Sequence, residues 1–412
     1  METKARRRVA LLYDCLAIKG GAGNVTVWLA RALAAKGYEI TLFTPSFDRS
    51  LWPGNLLSDF SVHLLPNFST RLVIRRSSML KRWMFGRYLS RVLEGYDVIV
   101  PNNNPSIQWV QMAKKLNSRL GTVLWLCQEP TRHLFGTITD RHFFEYEKYG
   151  NGNGCNKHVD EAVRQYKLAM QKKAKRRERN ARWEIDATSV AETVIANSQF
   201  SARNIERVFS RKAEVIYPGI TPMCNGRPAR SEWPHQDYIG FVGRLSVRKN
   251  VENLVEAFRI LCQIGVVNGL TLKIVGEGPQ RSALERKICE YGLQGKISFL
   301  GQLSDDELAQ FYANARLTVY IPLDEPFGLV PLESLYYGTP AIVSDHGGPA
   351  EILTHGENAR MVNPFNPKEI AEGIARLVKN TDEARYYAEN GRALVETSFT
   401  FERYVTQLER FF

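Results

Sequence analysis

The sequence of 412 residues has little cysteine, and none of its six cysteines forms a C-x-x-C pair. Disulfide frameworks and structural zinc sites need closely spaced cysteines, so this scatter predicts reduced thiols in a cytosolic setting. The sequence also has no run of about 18 apolar residues, which leaves no candidate for a transmembrane helix. The apolar run near the N-terminus stops after five residues at Asp14, which is typical of a first strand and not of a signal peptide.

Acidic residues are scarce in the first half of the chain. Residues 1–218 hold 35 lysines and arginines against 19 aspartates and glutamates, a net charge of +16, whereas residues 219–412 hold 20 against 24, a net charge of −4. This asymmetry predicts an anionic partner for the first half, such as membrane headgroups, nucleic acid or a phosphorylated acceptor.

Two basic tracts, residues 71–91 and 167–186, carry much of this positive charge, and apolar and aromatic side chains stand between the charges of the first. Such segments are typical of a surface that lies on an anionic bilayer, and a solvated helix face is the alternative. Nucleic-acid binding is not expected, because no nucleic-acid module accompanies the charge. The residues that we assign to the membrane or acceptor side are Arg75, Arg76, Lys81 and Arg82.

Short apolar segments alternate with helical patterns along both halves. The predicted strands are 9–13, 38–43, 98–100, 123–127 and 194–196, then 238–242, 270–275, 297–300, 317–321 and 341–344. The alternation predicts an α/β architecture of two doubly wound, Rossmann-like domains with parallel sheets, joined near Pro218. Because parallel sheets bind ligands beyond the carboxyl ends of their strands, two such sheets facing a central cleft would share one site.

Glycines lie between the first predicted strand and a helix predicted over 25–35, in KGGAGNVTVW (residues 19–28). They allow the backbone to approach an anion at a helix N-terminus, and a plain tight turn is the alternative. The G-x-G-x-x-G spacing is absent, and the second predicted strand is followed by Thr44 without the acidic residue that would hold a ribose. These absences argue against an NAD-dependent oxidoreductase.

Cations follow the first predicted strand of the second half, in GRLSVRKN (residues 243–250). Arg244, Arg248 and Lys249 stand where a strand ends and a helix begins. Fixed cations there suit a diphosphate, because they neutralise the charge that grows as a phosphate leaves. Ordinary surface charge near a helix start is the alternative.

Two carboxylates lie in DEPFGLVPLESLYYGTP (residues 324–340). Glu325 follows a predicted strand, and Glu333 is expected in the first turn of the next helix because Pro331 suits a first helical position. One carboxylate could then reach a sugar hydroxyl while the other holds ribose hydroxyls. Acidic residues that merely favour a helix N-terminus are the alternative.

Five motifs occur in a fixed order in the second half, and three more fit in the first. The eight are GRLSVRKN, VGEGP (275–279), FLGQLSDDEL (299–308), EPFGLVPLE (325–333) and SDHGGPAEIL (344–353), with GGAG, ANSQFS (196–201) and VIYPGI (215–220). The set resembles family 4 of the retaining, nucleotide-sugar-dependent glycosyltransferases (glycosyl transferases group 1), whose fold is GT-B. The resemblance spans nearly the whole chain and is densest from 238 to 366.

The resemblance implies a role for each matching position. Arg244 and Lys249 would bind the donor diphosphate, Glu325 the donor sugar and Glu333 the ribose, while the loop around Gly21 would lie over the phosphates and the acceptor. The donor-binding residues implied are Gly21, Gly243, Arg244, Lys249, Glu277, Glu325, Phe327, Gly328, Leu329 and Glu333, and the catalytic ones are Glu325, Arg244, Lys249 and Gln128.

One position departs from the family pattern. Many members carry a histidine after the fourth strand of the first domain, where WLCQEP (125–130) places Gln128. Glutamine hydrogen-bonds a sugar or phosphate but does not exchange a proton, so a histidine base is in doubt. His133 is the alternative, although a loop histidine without a role fits better.

No metal and no other cofactor are expected. The acidic run at residues 305–307 follows Ser304, where it favours a helix dipole, and no D-x-D motif follows a strand. By the resemblance, front-face attack assisted by the leaving phosphate replaces a protein nucleophile.

The sequence thus predicts a retaining hexosyltransferase with a UDP- or GDP-sugar donor and, through its basic first half, a lipid-linked or membrane-proximal glycan acceptor at the inner face of the membrane. A soluble glycosyltransferase with a small-molecule acceptor is the alternative. The predicted domains are an acceptor-side domain, 1–218, to which a C-terminal helix at about 396–412 crosses back, and a donor-binding domain, 219–395.

Overall fold

The computed structural model describes residues 6–52, 58–66, 79–149, 156–172, 174–223, 236–266 and 269–412. Arg75 and Arg76, two of the predicted membrane-side residues, lie outside the described residues, as do Cys155 and Cys224. The four described cysteines are free thiols. No helix within the described ranges is long and apolar enough to span a bilayer.

The first half of the chain alternates strands and helices. Its strands are β1 (Arg8–Leu12), β2 (Glu39–Thr44), β3 (Ser61–Leu64), β4 (Val98–Pro101), β5 (Thr122–Leu126), β6 (Thr193–Ala196) and β7 (Glu214–Val215). Its helices are α1 (Gly21–Ala35), α2 (Met79–Val92), α3 (Ser106–Lys114), α4 (Arg132–Thr139), α5 (Arg141–Phe144), α6 (Tyr146–Tyr149), α7 (Lys157–Lys172), α8 (Ala174–Ala187) and α9 (Gln199–Phe209). β1 and β4 are buried at nearly every residue, as expected of strands that helices cover on both faces.

The second half repeats this alternation. Its strands are β8 (Gln236–Val242), β9 (Thr271–Val275), β10 (Ile297–Gly301), β11 (Ala315–Tyr320), β12 (Ala341–Ser344) and β13 (Arg360–Val362). Its helices are α10 (Val251–Gln263), α11 (Arg281–Glu290), α12 (Asp305–Asn314), α13 (Leu329–Tyr336), α14 (Gly348–Ile352), α15 (Pro367–Lys379), α16 (Thr381–Ser398) and α17 (Phe401–Leu408). At α12 the Ser304 hydroxyl accepts from the Glu307 N–H, and the Glu307 carboxylate accepts from the Ser304 N–H, so the acidic run belongs to a capping box.

Both sheets are parallel between all their paired strands. The strand order is β3-β2-β1-β4-β5-β6-β7 in the first sheet and β10-β9-β8-β11-β12-β13 in the second. Each sheet starts near its middle and winds outwards in both directions, so the predicted doubly wound α/β fold class is confirmed. The winding reverses between β1 and β4 and between β8 and β11, and the carboxyl ends of such strand pairs are where doubly wound sheets bind ligands.

Packing divides the chain into two units. The first holds residues 1–139, 172–218 and 401–412, and the second holds 140–171 and 219–400. In the first unit, Phe401 of α17 meets the ring of Trp28 on α1 edge to face, with 5.6 Å between the ring centroids. The predicted acceptor-side domain, 1–218, includes residues 140–171, whereas in the structure these residues pack with the second unit.

Apolar and polar contacts explain why residues 140–171 pack there. A buried cluster joins side chains of α5, α6 and α7 to residues of the second half, namely Phe143, Tyr146, Val159, Val163, Leu323 and Phe365. Beside it, Arg248 Nη2 lies 2.7 Å from Oδ2 of the buried Asp140. Residues 140–171 and their partners in the second half are far apart in the chain; Asp140 and Arg248, for example, are more than 100 positions apart. Local composition therefore could not place the domain boundary correctly.

Candidate functional site

The loops that follow β8 and β11 lie side by side, because these strands are neighbours in the second sheet. Lys249 ends a short 3-10 helix after β8, and Glu325 lies in the loop after β11. Lys249 Nζ lies 2.7 Å from Glu325 Oε2 and 2.8 Å from the hydroxyl oxygen of Tyr320. The structure therefore brings together two of the predicted catalytic residues at the point where the winding reverses.

The Lys249–Glu325 ion pair is largely shielded from water, with side chains 23% and 20% exposed. Burial lowers the pKa of Lys249, but the neighbouring Glu325 carboxylate and Tyr320 outweigh it, and the pKa lies above its ordinary value. Burial, together with the Glu325 charge, raises the pKa of Tyr320. Lys249 is therefore a fixed cation, suited to binding an oxygen and unsuited to proton exchange near neutral pH.

Glycines allow the neighbouring loops to approach this pair. A Cβ at Gly276 would lie 2.1 Å from the Gly243 carbonyl oxygen, and one at Gly348 would lie 2.3 Å from the Cα of Phe327. The Gly348 N–H also donates to the Glu325 carbonyl oxygen at 2.7 Å. Any other residue at 276 or 348 would push the loops apart, which gives the VGEGP and HGGP motifs a physical reason.

Glu333 lies deeper in its helix than the sequence predicts. α13 begins at Leu329 and not at Pro331, because Gly328 takes a φ of 121° and starts the helix earlier. Glu333 is therefore the fifth residue of the helix and lies beyond its first turn. The Glu333 side chain is buried, and its Oε2 accepts a hydrogen bond from the Tyr312 hydroxyl at 2.8 Å. Burial raises the pKa of Glu333 to about 7, although the hydrogen bond from Tyr312 opposes the rise.

The start of α13 provides backbone hydrogen-bond donors and lies between Glu325 and Glu333 in the sequence. The first N–H groups of a helix, here those from Leu329 onwards, have no carbonyl partner within the helix and favour anions. Phe327, immediately before Gly328, is buried, with its ring centroid 6.2 Å from that of Phe399. The predicted donor-binding run 327–329 therefore combines a buried aromatic ring with a helix N-terminus.

The remaining predicted cations and acids differ in their surroundings. Arg244 is exposed, and its guanidinium has no hydrogen-bond or ion-pair partner among the described residues. Glu277 is 46% exposed and pairs with Arg281 at 2.6 Å. Arg248, which the sequence analysis grouped with the diphosphate-binding cations, pairs instead with Asp140 and stacks on Phe143 at 4.4 Å. Arg248 therefore holds residues 140–171 in the second unit.

Gly21 and Gln128 lie in the first unit. Gly21 is exposed and begins α1, so the GGAG motif forms the first turn of the helix where the sequence predicted a loop. The Gln128 N–H donates to Asn103 Oδ1 at 2.9 Å, and its carbonyl oxygen accepts from Ser201 Oγ at 2.7 Å. These two bonds fix its backbone, while its side-chain amide has no hydrogen bond within the described part of the chain. His133, the alternative, is exposed on α4.

One group of side chains in the described residues is close enough to be tested as a metal site, namely His142, Asp324 and His346. A metal lies in the plane of each imidazole that binds it, about 2.0–2.1 Å from the nitrogen. The two imidazoles are stacked, with centroids 4.0 Å apart and 21° between their planes, so no point meets this condition for both. The Asp324 oxygens also accept N–H groups of His142 and Phe143. A metal ion does not fit this arrangement.

Parts of the two basic tracts, residues 79–91 and 174–186, meet in the first unit. The Arg82 guanidinium of α2 stacks on the Trp183 ring of α8 at 4.6 Å, and burial with the nearby Arg179 lowers the pKa of Arg82. Beside Lys81 and Arg82, the same helix exposes large apolar side chains, which are Met79, Leu80, Trp83 and Met84. We call this region, formed by residues 79–87 and 175–183, the basic–apolar surface.

Sequence pattern does not indicate the residues that contact the predicted acids or the neighbouring Asp324. Tyr320 contacts the Lys249–Glu325 pair, Tyr312 contacts Glu333, and His142 contacts Asp324, which was not among the predicted site residues. A tyrosine at the end of β11 resembles any core residue, and Tyr312 and His142 come from elements distant in sequence. Only the position of Tyr320 at the carboxyl end of a strand was a usable signal.

Two family models match the chain. Residues 20–219 match the glycosyl transferase 4-like domain, and residues 228–394 match glycosyl transferases group 1. With the two doubly wound sheets and the loops that follow β8 and β11, these matches define the class. The chain belongs to the family 4-like glycosyltransferases of GT-B fold, which confirms the resemblance inferred from its motifs.

Curated relatives are named as glycosyltransferases as well. The chain is 32% identical over 202 residues to an uncharacterized glycosyltransferase of Methanocaldococcus jannaschii, over 46% of this chain and 51% of that one. It is 32% identical over 220 residues to the GDP-mannose-dependent alpha-(1-6)-phosphatidylinositol dimannoside mannosyltransferase of Mycobacterium tuberculosis, over 52% of this chain and 55% of that one. The matches thus span about half the length of these curated relatives.

The fold is similar to that of solved enzymes over the whole chain. The structure of Anabaena HepE with UDP and glucose superposes with a TM-score of 0.75 at 18% identity, over 98% of this chain and 99% of that one. The sucrose-phosphate synthase of Thermosynechococcus elongatus gives a TM-score of 0.71 at 22% identity, over 98% of each chain. At these identities the likeness concerns the fold alone.

Proposed function

We propose that the protein is a retaining glycosyltransferase that transfers a sugar from a nucleotide-sugar donor to an acceptor hydroxyl. The observation that carries this proposal is the shielded Lys249–Glu325 pair, which lies where the winding of the second sheet reverses. Glu325 also comes a few residues before the start of α13. That position suits the diphosphate and sugar of a donor. Two relatives or neighbours of this chain are named with GDP-mannose or with UDP and glucose, which supports a nucleotide sugar.

The candidate residues of the second unit divide between contacts to the donor and support of the loops that carry those contacts. Arg244 and Lys249, with the N–H groups at the start of α13, neutralise the diphosphate. Glu325 accepts hydrogen bonds from hydroxyls of the transferred sugar, and Glu333 accepts those of the ribose. Glu277, Gly243 and Phe327 shape the surrounding loops. Because ribose hydroxyls donate to a carboxylate, Glu333 binds them in its ionised form.

The reaction needs no covalent intermediate with the protein. The bond between the anomeric carbon and the phosphate oxygen breaks, and the acceptor oxygen forms a bond to the same face of that carbon. The acceptor proton passes to the leaving phosphate oxygen. Arg244 and Lys249 stabilise the negative charge that grows on this phosphate, which is the largest electrostatic demand of the step. No metal ion is required in this scheme, since the two cations supply the charge.

In the first unit, Gly21 and Gln128 serve the acceptor side. The side-chain amide of Gln128, which makes no hydrogen bond to another described residue, both donates and accepts, so it suits a sugar hydroxyl or a phosphate oxygen without exchanging a proton. We propose that the acceptor is lipid-linked or membrane-proximal and that the protein attaches reversibly to the inner face of the membrane. The basic–apolar surface supports this, because it places exposed Trp83 and Met84 beside a group of cations.

A panel of UDP- and GDP-sugars tests the central proposal. The readouts are slow hydrolysis of the donor and thermal shift, and a donor at 100 times its dissociation constant stabilises the fold by about 2.7 kcal/mol. The anomeric configuration of the product, followed by NMR, tests retention. Absence of both hydrolysis and thermal shift across the panel would contradict a nucleotide-sugar donor, and an inverted product would contradict the front-face scheme.

A soluble enzyme that acts on a small-molecule acceptor is the second candidate. The exposed Lys81 and the partly exposed Arg82 would then be an ordinary solvated helix face. Comparing transfer to a soluble sugar acceptor with transfer to a lipid-linked one in vesicles separates the two. A membrane enzyme prefers the vesicle-bound acceptor, whereas equal rates favour the soluble alternative.

A further inference from the structure

Asp324, the residue before Glu325, has an unusual backbone. Its φ is 52°, in the left-handed region that non-glycine residues seldom occupy, and its side chain is completely buried. A buried carboxylate on a strained backbone needs strong partners to hold it. The direction in which the chain enters Glu325 therefore depends on what holds Asp324.

Residues 140–171 supply these partners. The Asp324 Oδ1 accepts from the His142 backbone N–H at 3.3 Å and pairs with His142 Nδ1 at 2.6 Å, and Oδ2 accepts from the Phe143 N–H at 2.7 Å. Burial raises the pKa of Asp324, but the hydrogen bond and charge of His142 outweigh it, so the pKa is lowered and the group is ionised. Because a carboxylate only accepts, Nδ1 of His142 carries the hydrogen.

His142 is itself held in place from two sides. Its ring stacks on His346, with centroids 4.0 Å apart, and lies 4.2 Å from the ring of Tyr149. His346 lies just before α14, whose first residue, Gly348, donates its N–H to the Glu325 carbonyl oxygen. The loops on both sides of Glu325 therefore converge on His142.

Further contacts keep residues 140–171 docked. Arg248, which immediately precedes Lys249 in the chain, pairs with Asp140. Asn156 Nδ2 donates to the Phe365 carbonyl oxygen at 2.8 Å. Asn363 Nδ2 donates to the Tyr149 carbonyl oxygen, also at 2.8 Å. Residues 140–171 thus contact the loops of both members of the Lys249–Glu325 pair.

We propose that His142 is a positioning residue for Glu325. Through its Nδ1–H it fixes the Asp324 carboxylate, and Asp324 sets the orientation of the loop that presents Glu325 to the donor sugar. This inference rests on the proposed function, in which Glu325 binds that sugar. A displacement of about 1 Å at a reacting group costs on the order of 100-fold in rate, so loss of this bond should slow transfer without weakening the nucleotide contacts.

Two substitutions separate the hydrogen bond from the stacking. His142→Phe keeps a ring between His346 and Tyr149 and loses the Nδ1–H donor, whereas His142→Asn keeps an N–H donor close to the Nδ1 position and loses the ring. We expect kcat with the best nucleotide sugar of the panel to fall roughly 10- to 100-fold in His142→Phe and to recover largely in His142→Asn. The dissociation constants of UDP and GDP, which lack the sugar, should stay within about twofold in both variants.

Matched controls keep the result interpretable. His355→Phe and His355→Asn alter an exposed histidine of the same unit whose Nδ1 accepts from the Met361 N–H, and they should leave kcat unchanged. Asp324→Asn retains a residue type that tolerates positive φ and removes the carboxylate, so it should reproduce His142→Phe.

The two hypotheses fail in different ways. Wild-type kcat in His142→Phe would overturn the positioning proposal, and a defect confined to His142→Asn would assign His142 a stacking role instead. Both results would leave the enzyme assignment intact. Failure of the wild type to use any nucleotide sugar would overturn the proposed function itself.

Discussion

Lys249 Nζ and Glu325 Oε2 lie 2.7 Å apart in a pair that is about four-fifths shielded from solvent. In the proposed function, these two residues serve different parts of the donor, the diphosphate and the sugar. Without a donor, each neutralises the other. On that proposal the pair holds both groups in place until phosphate oxygens and sugar hydroxyls supply new partners, and the stability of this site is linked to its chemistry.

A double-mutant cycle should detect this link. Lys249→Met and Glu325→Gln should each lower the free energy of unfolding by about 1–3 kcal/mol, because each leaves a shielded partner behind. The double variant should lose less than the sum, with a coupling energy of about 1–2 kcal/mol. Urea denaturation of the four proteins measures this, and additive losses would contradict a coupled pair.

Donor binding should depend on pH through Glu333. Its pKa of about 7 leaves most of the carboxylate ionised at pH 8 and protonated at pH 6, and the ionised form accepts ribose hydroxyls much more strongly than the neutral acid does. The dissociation constant of UDP or GDP should therefore rise roughly tenfold between pH 8 and pH 6. Tyr312→Phe removes a hydrogen bond that favours the ionised form, so it should move this transition to higher pH. A flat calorimetric profile in the wild type would contradict the prediction.

The same shift makes Glu333 costly to the ligand-free fold. Its pKa in the folded state lies above the ordinary value of 4.5, so between pH 4.5 and 7 the folded protein binds more protons than the unfolded chain and stability falls as pH rises. Above pH 7 the full cost, on the order of 3 kcal/mol, is present. Glu333→Gln should therefore stabilise the protein at pH 8 and have little effect at pH 4.5, while weakening nucleotide binding. An unchanged melting temperature at pH 8 would speak against the shift.

Local pattern predicted most of the fold. The alternation of apolar strands and amphipathic helices indicated two doubly wound sheets, because burial on both faces leaves short continuous apolar runs such as 9–13. It missed β3, β7 and β13, whose mixed or short sequences resemble loops. It also misassigned residues 140–171, since their docking depends on contacts such as Arg248–Asp140 that no local pattern contains.

The site was predictable only as far as its motifs extend. The motifs placed Lys249 and Glu325 in two loops, and parallel topology brought these loops together. The depth of Glu333 was not predictable from Pro331, because the positive φ of Gly328 shifts the start of α13. The bond between His142 and Asp324 joins positions 182 apart in the chain, and no spacing rule indicates it.

Arg244 should separate activity from stability. Its side chain is exposed and has no hydrogen-bond or ion-pair partner in the described residues, so Arg244→Ala should change the free energy of unfolding by less than about 0.5 kcal/mol. Loss of a cation that acts on the leaving phosphate should cost about 2–4 kcal/mol in the barrier, or roughly 30- to 1000-fold in kcat. Arg286→Ala, an exposed arginine of α11, serves as the control of equal charge. Wild-type turnover in Arg244→Ala would remove it from the diphosphate site.

Activity should not depend on a divalent metal. Arg244 and Lys249 supply the positive charge that a metal ion supplies in other transferases, so transfer should continue in excess chelator at more than half its normal rate. Complete loss in chelator, restored by magnesium or manganese, would contradict this. Measuring the Lys249→Met variant with and without added metal shows whether a metal can replace the missing cation.

The basic–apolar surface should bind anionic vesicles in two separable ways. Each Lys or Arg near an anionic leaflet contributes roughly 1 kcal/mol, screened over about 10 Å at 0.1 M salt. Lys81→Ser with Arg82→Ser should therefore reduce co-sedimentation strongly at low salt and little at high salt. Trp83→Ser with Met84→Ser should reduce it at both, because burial of these exposed side chains does not depend on screening. Nucleotide affinity should stay unchanged in both double variants, since the surface lies in the first unit. If the wild type ignores anionic vesicles even at low salt, the soluble-acceptor alternative is the better one.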